Sequence, residues 1–172
     1  MTDAKNTIKF KGNPLTLAGS QPEAGDKAPD FEVLANDLSP FKLSENLGKV
    51  LVICSVPSLD TSVCDTEVRK FNEHAASLGN DVEVLVISMD LPFAQKRWCG
   101  SAGIKNVQTL SDHKQAQFGT TYGVLIEELR LLARAVFVVD KQGLISYKQI
   151  VDELTNEPDY EKALKAAKEA RK

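Results

Sequence analysis

Among the three cysteines of this sequence, Cys64 stands where a reactive thiol would be expected. Cysteine attacks other molecules as a thiolate, and only about 3 % of a free thiol is ionised at pH 7. Cys64 follows Asp60, Thr61 and Ser62, which are all favourable residues for capping the start of a helix. The unpaired backbone N–H groups and the dipole at such a start stabilise an anion. Cys64 is therefore the candidate nucleophile.

A helix start alone does not ionise a thiol sufficiently. An exposed helix start stabilises an anion by about 0.3 to 1 kcal/mol, whereas lowering the pKa of a thiol by about two takes roughly 2.7 kcal/mol. Asp60 and Asp65 flank Cys64 and would oppose its ionisation if they pointed inward. Arg69 is close in sequence but lies about 140° around the helix from Cys64. We therefore expect a cation from a distant part of the chain.

Spacing also supports a structural interpretation of Cys64. Together with Val68 and Phe71 it falls on one apolar helix face, where cysteine is often a small buried side chain. Cys54 lies within the apolar run 49–56, and there a buried structural role is the expected one. Spacing alone leaves both interpretations of Cys64 open.

Other reactive side chains give weaker signals. His74 and His113 occur without the C-x-x-C or H-x-x-x-H spacing of a zinc site, so we expect surface or capping roles. Trp98, beside Cys99, is expected to pack in a helix rather than to cover the thiol. Asp90, together with Met89, ends a strand near the expected site, and the sequence does not decide whether the two line a pocket.

The apolar patterns predict strands that alternate with helices. A continuous apolar run predicts a central strand over 49–56, and positions 64, 68, 71, 75 and 78 form a helix face that Gly79 ends. The remaining predicted strands are 7–10 and 14–18, which form an N-terminal hairpin, and 31–34, 41–43, 82–89, 107–110, 134–140 and 144–150, the last two also forming a hairpin. The remaining predicted helices are 92–103, 113–118 and 159–172, with a loop at 119–131.

This order predicts a single α/β domain over residues 1–172, with the N-terminal β-hairpin within 1–18. Strands alternating with helices before a closing hairpin give a mixed central sheet with helices on both faces, which fits a thioredoxin-like fold. Apolar residues form 42 % of the chain and charged residues 26 %, as in compact globular proteins.

Charge and the N-terminus limit the partners and the location. The 21 basic and 24 acidic residues leave a net charge of −3, with no basic stripe for nucleic acid. The start MTDAKNTIKF lacks the basic and apolar regions of a secretory signal, and no apolar segment approaches about 18 residues. We expect a cytoplasmic protein that binds neither nucleic acid nor a membrane.

Three segments together resemble one family. The segment from Pro57 to Cys64, PSLDTSVC, has the form P-x-x-x-T-x-x-C between a buried strand and a helix, and it resembles the active-site signature of peroxiredoxins. The segment GDKAPDF at 25–31 resembles the opening of the same fold, and Arg134 matches the active-site arginine of the family. The matches follow the order of that family.

The resemblance narrows to the bacterial thiol peroxidase branch, an atypical 2-Cys group, and covers almost the whole chain. It is carried by the hairpin with its GNP turn, SLDTSVCDTEVRKFN, DLPFAQKRWCG and VDELTNEPDYEKAL. It implies that Cys64 is the peroxidatic nucleophile, that Thr61 hydrogen-bonds the peroxide and that Arg134 stabilises thiolate and transition state. It also implies that Pro57 shields the pocket and that Cys99 is the resolving cysteine.

The resemblance implies a catalytic cycle as well. A thiolate beside an arginine and a hydroxyl can attack a hydroperoxide and stabilise the departing oxygen. The expected product is a sulfenic acid on Cys64, which condenses with Cys99 into a disulfide. Because the two cysteines are predicted on separate helices, we expect residues 60–66 and 92–103 to unwind locally. Hydrogen peroxide and organic hydroperoxides are the implied substrates, thioredoxin is the implied reductant, no cofactor is needed, and a homodimer is the implied assembly.

Two other functions use the same residues. A thioredoxin-type disulfide exchanger normally carries C-x-x-C, but Thr61 occupies the position three before Cys64. A redox sensor, by contrast, would use oxidation of Cys64 to switch a partner surface. The rate of peroxide consumption distinguishes a peroxidase from a sensor.

Overall fold

The computed structural model describes residues 6–172, which contain eleven strands and four α-helices. The strands are β1 Thr7–Phe10, β2 Asn13–Ala18, β3 Glu32–Leu34, β4 Pro40–Lys42, β5 Val50–Ser55, β6 Val82–Ser88, β7 Val107–Ser111, β8 Leu125–Ile126, β9 Leu131–Leu132, β10 Ala135–Val139 and β11 Ile145–Ile150. The helices are α1 Ser62–Leu78, α2 Pro92–Ala102, α3 Gln117–Thr121 and α4 Tyr160–Ala170. Residues 1–5 of the predicted hairpin segment lie outside the described range.

Seven strands form the main sheet in the order β11-β10-β5-β6-β7-β3-β4. Strands β5, β6 and β7 are parallel, whereas β10 pairs antiparallel with both β5 and β11. All six residues of β5 are buried, as expected for a central strand that is covered on both faces. The predicted mixed sheet, α/β class and closing hairpin are confirmed.

Two apolar clusters cover the faces of this sheet. Helices α1 and α4 contribute Val68, Phe71, Ala163 and Ala167 to the cluster on one face, which also contains Cys64. The other face carries a cluster that includes aromatic side chains of α3 and its surroundings. The alternation of side chains along β5 sends Val52 to one cluster and Ile53 to the other, so the strand beside the site is fixed from both sides.

The N-terminal hairpin belongs to a second sheet, ordered β1-β2-β8-β9. Its turn consists of Lys11 and Gly12, which both have positive φ (49° and 82°), as a two-residue hairpin turn requires. The prediction of a loop over 119–131 is wrong, because this range holds the end of α3, the whole of β8 and the first residue of β9. These two strands are only two residues long; β8 forms because β2 offers it a pairing edge, and β9 pairs with β8 in turn.

The predicted helix over 113–118 is also displaced. Residues 113–115 form a turn, and α3 begins only at Gln117. The buried carboxylate of Asp112 accepts the N–H groups of Phe118 and Gly119 at 3.1 and 2.8 Å, which sets where this helix begins. Within residues 6–172, no helix is both long and apolar enough to cross a membrane.

Candidate active site

The segment between β5 and α1 places Cys64 in the first turn of a helix. Thr61 is the N-cap of α1, and its hydroxyl oxygen accepts the backbone N–H of Cys64 at 3.4 Å. The same hydroxyl lies 3.1 Å from the carbonyl oxygen of Ser58, to which it donates. Pro57 is buried two residues after the end of β5, while Thr61 is exposed.

Asp90 holds this segment against the end of β6. One of its carboxylate oxygens accepts the hydroxyl of Ser58 at 2.7 Å. The other accepts the N–H of Leu59 at 2.9 Å and the hydroxyl of Ser88 at 2.8 Å. The question that the sequence left open for Asp90 therefore has a structural answer, because its carboxylate fixes the loop that carries Thr61.

The distant cation expected near Cys64 is Arg134. Its Nη1 lies 3.3 Å from Cys64 Sγ, and both side chains are buried, with Arg134 only 2 % exposed. Arg134 directly precedes β10, and the next residue, Ala135, pairs with Ser55 at the end of β5. Antiparallel pairing of β10 with β5 therefore brings residue 134 to the helix start that follows β5.

Two further groups fix the plane of the guanidinium. Arg134 Nη1 donates to Glu67 Oε2 at 2.6 Å, while Nε and Nη2 donate to the carbonyl oxygen of Leu154 at 3.2 and 2.9 Å. Burial alone would lower the pKa of Arg134, but the charges of Glu67 and Cys64 outweigh it and raise that pKa. Arg134 is therefore a fixed cation directed at the sulfur.

Glu67 is a site residue that the sequence interpretation missed. Its side chain is fully buried, and burial raises its pKa to about 7 although the charge of Arg134 opposes the shift. The available signal was its spacing, since position 67 falls between Cys64 and Phe71 on the apolar face of α1. A carboxylate on that face needs a buried partner, which is Arg134.

Cys99 lies on α2 and has a different partner. Its Sγ is 3.4 Å from Thr109 Oγ1, and Thr109 in turn donates to Asn36 Oδ1 at 3.0 Å. Burial raises the pKa of the Cys99 thiol, and the hydrogen bond with Thr109 partly offsets this. All three cysteines, which lie within the described range, are free thiols.

The two candidate redox cysteines are thus held by different parts of the sheet. Arg134 stands before β10 and Thr109 lies in β7, with β5 and β6 between these strands. Three strand spacings correspond to roughly 14 Å. Cys64 and Cys99 accordingly occupy separate environments in this state.

Asp65 links the two cysteine-bearing helices instead of pointing at the thiol. It accepts the indole N–H of Trp98 at 3.1 Å and the Nε of Arg69 at 2.8 Å. The Arg69 guanidinium also lies over the Trp98 ring, 5.8 Å from its centroid. Trp98 packs against the core cluster of Cys64, so the predicted packing role is confirmed and includes a hydrogen bond from α2 to α1.

The other candidates occupy structural positions. Cys54 is fully buried in β5, and burial raises its pKa well above the ordinary value. His74 is exposed and His113 is half-buried. No cluster of three or more His, Cys, Asp or Glu suited to a metal ion occurs in the described part of the chain.

Comparison with known sequences gives matches along most of the chain. The family model described as Redoxin matches residues 23–164. A thiol peroxidase from Halalkalibacterium halodurans is 60 % identical over 164 residues, which cover 95 % of this chain and 98 % of that protein. A thiol peroxidase from Bacillus subtilis is 56 % identical over 161 residues, which cover 94 % of this chain and 96 % of that protein.

Solved structures give the same fold. A crystal structure of a peroxiredoxin-like protein from Aquifex aeolicus matches with a TM-score of 0.90 and 46 % identity, covering 95 % of this chain and 96 % of that one. A thiol peroxidase from Chromobacterium violaceum matches with a TM-score of 0.85 over 96 % of this chain and 97 % of that one. At 19 % identity, the second match supports the fold alone.

Proposed function

Because this chain belongs to the Redoxin family, and within it to the thiol peroxidases, we propose that it reduces hydroperoxides by attack of the Cys64 thiolate. The enzyme class, a peroxiredoxin-type oxidoreductase, follows from these relatives. The observation that carries the assignment to Cys64 is the buried Arg134 guanidinium 3.3 Å from its sulfur. A fixed cation beside a thiol at a helix start favours the thiolate.

In the proposed first step, the Cys64 thiolate attacks one oxygen of the peroxide. An S–O bond forms, the O–O bond breaks, and the departing hydroxide or alkoxide takes up a proton to leave as water or an alcohol. The thiol is oxidised to a sulfenic acid, and the peroxide is reduced. Arg134 stabilises the charge that moves to the departing oxygen, Thr61 hydrogen-bonds the peroxide, and Pro57 shields the pocket. Hydrogen peroxide and alkyl or lipid hydroperoxides are the proposed substrates.

In the proposed second step, the Cys99 thiol attacks the Cys64 sulfenic acid. The S–S bond forms and water leaves, so the two cysteines together have given two electrons to the peroxide. Bridged cysteines need Cα atoms within about 7 Å, and the cysteines belong to two helices joined by Asp65 and Trp98. Local opening around 60–66 and 92–103 therefore accompanies this step.

Thioredoxin is the proposed reductant, and no metal, haem or flavin takes part. Its dithiol reduces the Cys64–Cys99 disulfide and becomes a disulfide itself, which restores both thiols. From the family resemblance we also propose a homodimer and a cytoplasmic location. Sedimentation and cell fractionation test these two points.

The function is tested by peroxide consumption in the presence of thioredoxin, thioredoxin reductase and NADPH. We expect Cys64→Ser to lose activity entirely and Cys99→Ser to lose thioredoxin-driven turnover. Cys54→Ala is the control, because Cys54 is a buried residue of β5 in the same cluster as Cys64 and has no proposed part in the reaction, so this variant should retain turnover. Robust activity of Cys64→Ser would overturn the assignment.

A further inference from the structure

The turn of the N-terminal hairpin is fastened to the segment after β11. The backbone N–H groups of Lys11 and Gly12 donate to the two carboxylate oxygens of Glu153 at 2.8 and 3.1 Å. Hydrogen bonds from Lys11, Gly12 and Thr155 hold the pKa of Glu153 below its ordinary value. The carboxylate is therefore charged at neutral pH and binds both donors of the turn.

Strand β1 also pairs with the residues on either side of Glu153. Lys9 N–H donates to the carbonyl oxygen of Asp152 at 2.7 Å, and Leu154 N–H donates to the carbonyl oxygen of Lys9 at 2.8 Å. Glu153 thus belongs to a three-residue stretch whose backbone and side chain are all held by the hairpin. This stretch, 152–154, forms a strap between the hairpin and the sheet.

The last residue of the strap, Leu154, contacts Arg134 in the candidate active site. The carbonyl oxygen of Leu154 accepts both Nε and Nη2 of Arg134, at 3.2 and 2.9 Å. The Nη1 of the same guanidinium contacts Cys64 and Glu67. Because the guanidinium is a rigid plane, a displaced Leu154 carbonyl would turn the nitrogen that faces the sulfur.

We propose that Glu153 is a positioning residue for the peroxidase reaction: by fastening the hairpin turn, it fixes the Leu154 carbonyl and so aims Arg134 at Cys64. This rests on the proposed roles of Cys64 and Arg134. Small misplacements of a catalytic group cost rate out of proportion to their size. The hairpin, outside the matched Redoxin region 23–164, would then contribute to the chemistry and not only to folding.

The test compares Glu153→Ala with a matched control, Glu128→Ala. The Glu128 carboxylate accepts the N–H of Thr16 on the other strand of the same hairpin, at 3.0 and 2.9 Å. Both substitutions remove a carboxylate whose two oxygens accept backbone N–H groups of the hairpin. Only Glu153 is adjacent to Leu154 in the chain. Circular dichroism and urea unfolding establish that both variants are folded under the assay conditions.

For Glu153→Ala we expect kcat/KM for hydrogen peroxide to fall roughly 3- to 30-fold, as expected for the loss of one or two supporting hydrogen bonds. Alkylation of Cys64 by iodoacetamide at a fixed neutral pH should slow, since the thiolate loses part of the contact with its cation. Glu128→Ala should stay within about twofold of the wild type in both measurements, because its hydrogen bond with Thr16 holds β2 and not the 152–154 strap. Glu153→Gln, which keeps one acceptor oxygen, should recover part of the loss.

A double-mutant cycle shows whether the effect passes through Arg134. In an Arg134→Lys background, Glu153→Ala should change the rate less than about twofold, because the group that it positions is gone. Equal effects of Glu153→Ala and Glu128→Ala, or an undiminished Glu153 effect in the Arg134→Lys background, would overturn the inference. The proposed function fails separately, through activity of Cys64→Ser.

Discussion

At the scale of single residues, the site is one cation shared by three acceptors. Arg134 contacts the Cys64 sulfur, the Glu67 carboxylate and the Leu154 carbonyl. The two oxygen partners fix its orientation, so the guanidinium faces the sulfur before any substrate arrives. Electrostatic stabilisation is most effective when such groups are fixed in advance.

Replacing Arg134 by lysine tests this geometry. A single ammonium group cannot reach the thiol, the carboxylate and the carbonyl together, although it retains the charge. We expect kcat/KM for hydrogen peroxide to fall by about 10²- to 10³-fold, in the range seen for loss of one preorganised donor. Stopped-flow peroxide consumption measures it, and a fall of less than about threefold would mean that charge alone suffices.

Glu67 gives a pH-dependent prediction for stability. Burial raises its pKa to about 7, whereas an unfolded glutamate titrates near 4.5. Between these values the folded state binds a proton that the unfolded state has released, so this group makes the protein less stable as pH rises. The stability that protonated Glu67 contributes to the folded state is fully present below about pH 4.5 and is lost as the pH rises through about 7.

Urea unfolding of the wild type and Glu67→Gln from pH 4.5 to 7.5 measures this effect. The wild type should lose stability relative to the variant as pH rises through the window. Asp112, whose pKa burial raises to about 6, titrates in both proteins and cancels in the difference. If the free energies of unfolding of the two proteins changed with pH in parallel, the raised pKa of Glu67 would be contradicted.

The candidate site residues were largely predictable from sequence. The spacing of Pro57, Thr61 and Cys64 lies within one local segment, so a motif reports it directly. The need for a cation from a distant part of the chain was predicted from the energetics of the thiolate, and Arg134 was identified by family resemblance. Glu67 and the Leu154 carbonyl were not predicted, because a buried ion pair and a backbone acceptor depend on how β10 and the 152–154 strap meet α1.

At the scale of elements, the proposed cycle requires that α2 is held against α1 and β7 in the reduced protein and can detach from them when the disulfide forms. Trp98 attaches it to α1 through Asp65, and Thr109 attaches it to β7 through Cys99. The proposed disulfide requires these contacts to break. In the proposed cycle, the strength of these contacts sets the lifetime of the Cys64 sulfenic acid before it reacts with Cys99. During that lifetime it is open to further oxidation.

Trp98→Phe loosens this attachment while keeping an aromatic ring. Removal of the indole N–H deletes the bond to Asp65, and we expect disulfide formation to accelerate about 2- to 10-fold, as one hydrogen bond allows. Quenched-flow oxidation with intact-mass detection measures the rate, and Cys64 sulfinic acid at excess peroxide should decrease. Arg97→Gln, an exposed neighbour on α2, is the control. A slower rate in Trp98→Phe would show that the ring contact assists opening.

The long helices and central strands followed from apolar periodicity, and the short elements did not. Helix α1 and strand β5 bury continuous faces, so their patterns are strong. The strands β8 and β9 have two residues each, and they form only through long-range pairing, β8 against β2 and β9 against β8. Likewise, the position of α3 depends on capping by Asp112, a contact over six and seven residues that no periodicity reports.

At the scale of the whole molecule, two sheets converge on one site. The main sheet places β5 and β10 side by side, which brings Cys64 and Arg134 together. The small sheet holds the 152–154 strap through its first strand and turn. The sequence predicted the main sheet and the hairpin of the small sheet in outline, but it did not predict β8 and β9. The link between the two sheets depends on hydrogen bonds across 142 and 141 residues of chain, and it could not be predicted.

The most direct test oxidises the reduced protein with one equivalent of hydrogen peroxide and maps the cysteines by mass spectrometry. We predict a Cys64–Cys99 disulfide with Cys54 free in the wild type, and a sulfenic acid on Cys64, trapped by dimedone, in Cys99→Ser. A sulfenic acid that forms first on Cys99 or Cys54, or a disulfide that excludes Cys64, would contradict the central claim that Cys64 is the nucleophile.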